Sequence, residues 1–72
     1  MQRSISVANK LKAIRLNHGL TMSEFAKQID VKVKSGTVAN WETGKNLPNK
    51  KRLKIIADLA GITVTELLKG GE

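Results

Sequence analysis

Two four-residue signals, Thr21-Met22-Ser23-Glu24 and Thr63-Val64-Thr65-Glu66, constrain this chain more than any other feature. In each, the threonine hydroxyl can accept from the backbone N–H three residues on, and the glutamate can reach back to the threonine N–H. Both therefore mark helix starts. Asn49, ahead of Lys50-Lys51-Arg52-Leu53, reads as a further cap. Gly19, Gly44 and Gly61 stand where helices should stop, because glycine enters the left-handed conformation without a Cβ clash. Strict polar/apolar alternation occurs only at Val31-Lys32-Val33-Lys34, which is short enough to read as loop rather than strand.

Apolar residues at helical spacing fill the intervals between these signals. The first helix should run from about Ser6 to His18, capped by Ser4 or Ser6, with Val7, Leu11, Ile14 and His18 on one face. The second buries Met22, Phe25, Ala26 and Ile29 and ends at Asp30. The third runs from about Ser35 to Thr43 and has two core positions, Val38 and Trp41. Trp41, three residues after Val38, reads as core rather than as a stacking surface. The fourth helix buries Leu53, Ile56, Ala57 and Ala60. The fifth carries Val64, Leu67 and Leu68 ahead of Gly70-Gly71. This predicts one compact all-α, five-helix domain over residues 1–72, with its core in about 7–69 and short frayed termini.

Charge and composition narrow the function. Lys and Arg number 13 against 6 Asp and Glu, a net charge of +7, so a polyanion is the expected partner. There is no cysteine, which excludes disulfides and thiolate-bound zinc, and a single histidine builds neither a metal site nor a triad. His18, at a helix C-terminus, suits the helix dipole better than a pH switch. No histidine pair, phosphate-binding glycine loop or close carboxylate pair suggests an enzyme, and no cofactor or metal is expected. No apolar run approaches the roughly 20 residues of a membrane span. A membrane surface would require an exposed apolar face, whereas the apolar residues of the fourth helix are needed in the core. A cytoplasmic, nucleoid-associated location is expected.

The third helix is the unusual one. Beyond Val38 and Trp41 it offers Ser35, Gly36, Thr37, Ala39 and Asn40, flanked by Lys34 and Thr43, where an ordinary surface helix would carry long charged side chains. Short polar groups let a helix approach the floor of a DNA major groove, where asparagine can pair with adenine and a threonine methyl can meet a thymine methyl. The charge gathers on the same stretch: residues 32–54 hold seven cations and one acid, Glu42. Lys50-Lys51-Arg52 fall in a first helical turn, where cations oppose the dipole unless an anion binds there. The start of the second helix, at Thr21, is another anion site in prospect.

Taken together, several segments resemble the Cro/C1-type (XRE) helix-turn-helix family of phage repressors and bacterial regulators. They are Lys10-Leu11-Lys12-Ala13-Ile14-Arg15 through Gly19-Leu20-Thr21, then Glu24-Phe25-Ala26, then Thr37-Val38-Ala39-Asn40-Trp41-Glu42-Thr43-Gly44-Lys45, and Leu53 through Ile62. The resemblance covers about Val7 to Leu68. It implies a lambda-repressor-like fold with the helix-turn-helix at helices two and three, and an Arg15–Glu42 ion pair between helices one and three. Spacing alone leaves those two as independent surface charges or as a pair. Three positions depart from the family pattern. Met22 replaces a frequent glutamine, Asp30 replaces a glycine in the turn, and the turn is about two residues longer than usual, through Val31-Lys32-Val33. Lys34 or Ser35 is then the cap of the third helix, and Lys32 is either solvated or able to reach a DNA backbone.

The expectation is a transcriptional regulator, a repressor, that binds double-stranded DNA sequence-specifically. Bases would be read by Lys34, Ser35, Thr37 and Asn40. Phosphates would be met by Thr21, Thr43, Lys45, Asn46, Lys50 and Lys51. The resemblance implies a homodimer on a palindromic operator. The alternative is a DNA-binding antitoxin or another module that docks a protein partner.

Overall fold

The computed structural model describes residues 2–69, with side chains from Ser6 onward. Its five helices are α1 (Gln2–Asn17), α2 (Met22–Ile29), α3 (Ser35–Glu42), α4 (Lys50–Ala60) and α5 (Val64–Leu68), and the described residues include no strand. Both capping boxes form. Thr21 N donates to Glu24 Oε1 at 2.9 Å and Glu24 N to Thr21 Oγ1 at 3.1 Å. The same pair of bonds joins Thr63 and Glu66, each at 3.0 Å. Asn49 Oδ1 accepts from Arg52 N at 2.9 Å, capping α4. Gly19, Gly44 and Gly61 have φ of +67°, +79° and +74°, the left-handed region in which a side chain would be strained. The Gly70-Gly71 stop lies outside the described residues.

Several boundaries differ from the sequence reading. The first helix begins at Gln2, so Ser4 and Ser6 lie inside it rather than capping it. No breaker stands between Gln2 and Asn17, and serine is tolerated within a helix once neighbouring turns are anchored. His18 falls beyond the end of α1 and is exposed, so it is not part of the core face. A carbonyl can only accept, so its Nδ1–H donates to Ile14 O at 2.9 Å, a last-turn carbonyl that also accepts from His18 N at 3.2 Å. The third helix stops at Glu42, with Thr43 as its C-cap and Lys34, which makes no side-chain cap bond, as its N-cap.

The core gathers Val7, Leu11, Ile14, Phe25, Ala26, Ile29, Val38, Trp41, Leu53, Ile56, Ala57 and Leu67. Met22, Ala60, Val64 and Leu68 are half-buried against it. α2 packs most extensively on α3, α1 crosses α3 and α5, and α4 meets α5 and α2. Lys10 Nζ adds a bond to the Glu66 carbonyl at 3.0 Å, joining α1 to α5. Val33, in the stretch read as loop and not assigned to any core face, is buried and joins the same core.

Candidate nucleic-acid interface

The site is built on α3, and its orientation follows from two side chains. Val38 and Trp41 are both buried, so that side of α3 is turned into the core. Trp41 is thereby unavailable for stacking. The opposite side carries Lys34, Ser35 and Gly36, all exposed, with Thr37, Ala39 and Asn40 half-buried beside them. A methyl group added at Gly36 would meet nothing within 4 Å. Packing does not require glycine there, and glycine weakens a helix. Gly36 was not singled out from the sequence as a site residue. A glycine near a helix start with no capping role was the available signal.

Glu42, the only acid among residues 32–54, does not dilute the charge of this face. Arg15 Nε lies 2.7 Å from Glu42 Oε2, and Arg15 Nη2 lies 3.1 Å from Glu42 Oε1. Both side chains are nearly buried, at 11% and 3% exposure. The Glu42 hydrogen bond raises the already high pKa of Arg15 against the opposing effect of burial, so the guanidinium stays charged. What remains outward on the stretch is cationic. Lys54 is an exception in part, because it pairs with Asp58 one helical turn on, at 3.2 Å and in solvent.

The loop after α3 is tied to the end of that helix through one carbonyl. Asn40 O accepts from Lys45 N at 2.9 Å, Asn46 N at 3.4 Å and Thr43 Oγ1 at 3.2 Å. Lys45 and Asn46 are exposed and stand beside Asn40 for this reason. Thr43 has already donated its hydroxyl proton, so contact with a phosphate would require it to exchange that bond.

The three helix starts on this region are not equivalent. At α2 the capping box occupies the N–H groups of Thr21 and Glu24 and places a carboxylate in the first turn. In that first turn only the Met22 and Ser23 N–H groups stay unpaired. At α4, Asn49 takes Arg52 N, the first turn holds no acid, and Lys50 and Lys51 are exposed. At α3 there is neither a side-chain cap nor an acid. The α3 and α4 starts are therefore better suited to anions than the α2 start.

Asp30 lies close to this last region. Its carboxyl is held below its ordinary value, chiefly by the N–H of Lys32; desolvation opposes this, and the charges of Arg52, Lys32 and Lys51 add to the lowering. The α2–α3 turn thus neighbours the first turn of α4, and some of the cations of α4 face an acid of the same chain. Among the described residues, no three His, Cys, Asp or Glu side chains gather as a metal site, and no helix is long and apolar enough to cross a membrane.

The helix-turn-helix family model matches residues 11–67. Among curated proteins, the chain is 36% identical over 63 residues to the HTH-type transcriptional activator BcrR of Enterococcus faecalis. The match takes in 88% of this chain and 30% of that relative's length. No solved structure matches the chain.

Proposed function

Because the chain belongs to the Cro/C1-type helix-turn-helix family of DNA-binding transcriptional regulators, we propose that it binds a specific double-stranded DNA site through α3. The observation that carries this reading is the two-sided character of α3: Val38 and Trp41 in the core, short polar groups and a glycine outward. Lys34, Ser35, Thr37 and Asn40 are the proposed base-reading residues. Lys45, Asn46, Lys50, Lys51 and Thr43, with Thr21 and the Met22 and Ser23 N–H groups, are the proposed phosphate contacts.

No chemistry is involved. The protein would act by occupying its site, as a homodimer on a palindrome in the nucleoid, so that two copies of α3 enter successive major grooves. Repression by promoter occlusion requires only that occupancy. The relative is named an activator, and this chain spans 30% of it, so the sign of regulation is read from the position of the site. The antitoxin alternative is not favoured by a match to a transcriptional regulator.

The test is selection of bound duplexes from a random pool at about 50 and 200 mM salt, a range over which phosphate-driven binding falls steeply. An enriched inverted repeat supports a dimeric, site-specific regulator. A single enriched half-site limits the protein to a monomer on DNA. Salt-sensitive binding with no enrichment sinks the reading.

A further inference from the structure

The connection between α2 and α3, residues 30–34, is closed rather than slack. Asp30 Oδ1 accepts from Lys32 N at 3.0 Å, and the Asp30 carbonyl accepts from Val33 N at 3.0 Å. Val33 is only 4% exposed and anchors the turn in the core. At the crest of the turn Val31 is 84% exposed, more than Leu16 or Leu47, the other exposed large apolar side chains among the described residues. A lone exposed valine is ordinary on a protein surface. Its surroundings are not. Val31 borders a cleft of about 240 Å³ whose rim also carries Lys27, Lys34 and Ser35. It therefore stands on the side of the molecule where α3 begins, among lysines 27, 32 and 34. The nearest acid, Asp30, has its carboxylate engaged by the turn itself.

We propose that Val31 is a specificity-determining residue, an inference that rests on the reading of α3 as the base-reading helix. Its isopropyl group packs on the C5-methyl of a thymine in the major groove, at the edge of the site beyond the pairs met by Ser35 and Thr37. Lys32 meets the adjoining phosphate. The thymine methyl is the apolar group on the major-groove edge of a natural base pair, and apolar side chains recognise it by contact. A β-branched side chain on a closed turn loses little freedom on making that contact. The surrounding lysines suit the flanking backbone.

The test begins from the selected site. Each thymine in it is replaced singly by deoxyuridine, which removes the methyl and keeps the base pair. Wild type and Val31→Ala are compared on every duplex, with thermal melts of both proteins as the folding control. At one outer thymine, loss of the methyl should weaken wild-type binding about fourfold, the equivalent of one buried methyl group. Val31→Ala, which loses the contact in both half-sites of a dimer, should bind the unmodified site about sixteenfold more weakly, about fourfold for each half-site, and should not respond to deoxyuridine there. Lys32→Ala should weaken the selected and random duplexes alike. The proposal is overturned if no outer thymine is methyl-sensitive, or if Val31→Ala keeps the wild-type response at every position. Unchanged binding of Val31→Ala to all duplexes also overturns it and directs attention to a protein partner for the turn. A wild type that selects no site removes this proposal together with the reading beneath it.

Discussion

The Arg15 guanidinium grips the Glu42 carboxylate at two points and places its remaining arm on the Leu20 carbonyl, with Nη1 to O at 2.9 Å. One side chain from α1 thus joins the end of α3 to the segment that leads into α2. The pair sits where the two elements of the helix-turn-helix must keep a fixed relation, and its desolvated charges tolerate few other arrangements.

Arg15→Ala or Glu42→Ala leaves a nearly buried charge without its partner and should cost about 3–5 kcal/mol of unfolding free energy. In a domain whose total is about 5–15 kcal/mol, either variant stands near the limit of folding. Arg15→Met with Glu42→Leu should recover much of the loss, because no charge is then stranded. Denaturant midpoints of the two single variants and the double variant check this. A double variant no more stable than the worse single one would show that the pair is not the source of the cost.

Gly36→Ala should raise stability by about 0.5–1 kcal/mol, since alanine is the better helix former and its methyl meets open space. The same methyl thickens the face offered to the groove. Affinity for the selected site should therefore fall while the melting temperature rises. Equal or tighter binding by this variant would mean that α3 does not approach DNA closely at residue 36.

Asn40→Ala should lose about 1–3 kcal/mol at the selected site and much less on random duplex, as expected for a base contact. Lys50→Ala should weaken both equally and reduce the salt slope by about one for each protomer bound, so by about two for a dimer. Anisotropy titrations on the two duplexes separate these patterns. Parallel losses for Asn40→Ala would move that residue out of the base-reading set.

Acid should destabilise the domain through two depressed carboxyls. Asp30 is held down first by the Lys32 N–H, and Glu66 first by the Thr63 N–H. A carboxyl whose folded pKa lies below its unfolded value contributes stability above the unfolded pKa, about 3.9 for Asp and 4.3 for Glu, and loses it as pH falls through the folded pKa. Urea midpoints should thus decline as pH drops below about 4. Asp30→Asn with Glu66→Gln should be less stable than wild type near neutrality, and the gap should narrow in acid. A gap that stays constant with pH would exclude these two groups as its cause.

The caps and stops of this protein were legible in its sequence because their chemistry is local. Thr21 reaches Glu24, Asn49 reaches the Arg52 N–H, and Gly19, Gly44 and Gly61 turn without a Cβ, all within four residues along the chain. The core faces of α2, α3 and α4 were legible for a related reason, since helical periodicity converts spacing into direction. Where α1 begins was not, because Gln2 carries no local signal and Ser6 mimics one. Only the tertiary structure decided which residues of the long turn go inside. Val31 and Val33 are chemically identical, yet one is 84% exposed and the other 4%, because the Asp30 bonds fold the turn so that Val33 reaches a core made by distant helices. The approach of Asp30 to Arg52, the bond from Lys10 to Glu66 and the depth of Arg15 were likewise tertiary outcomes. Each joins residues far apart in sequence, so its energy exists only once the helices have packed.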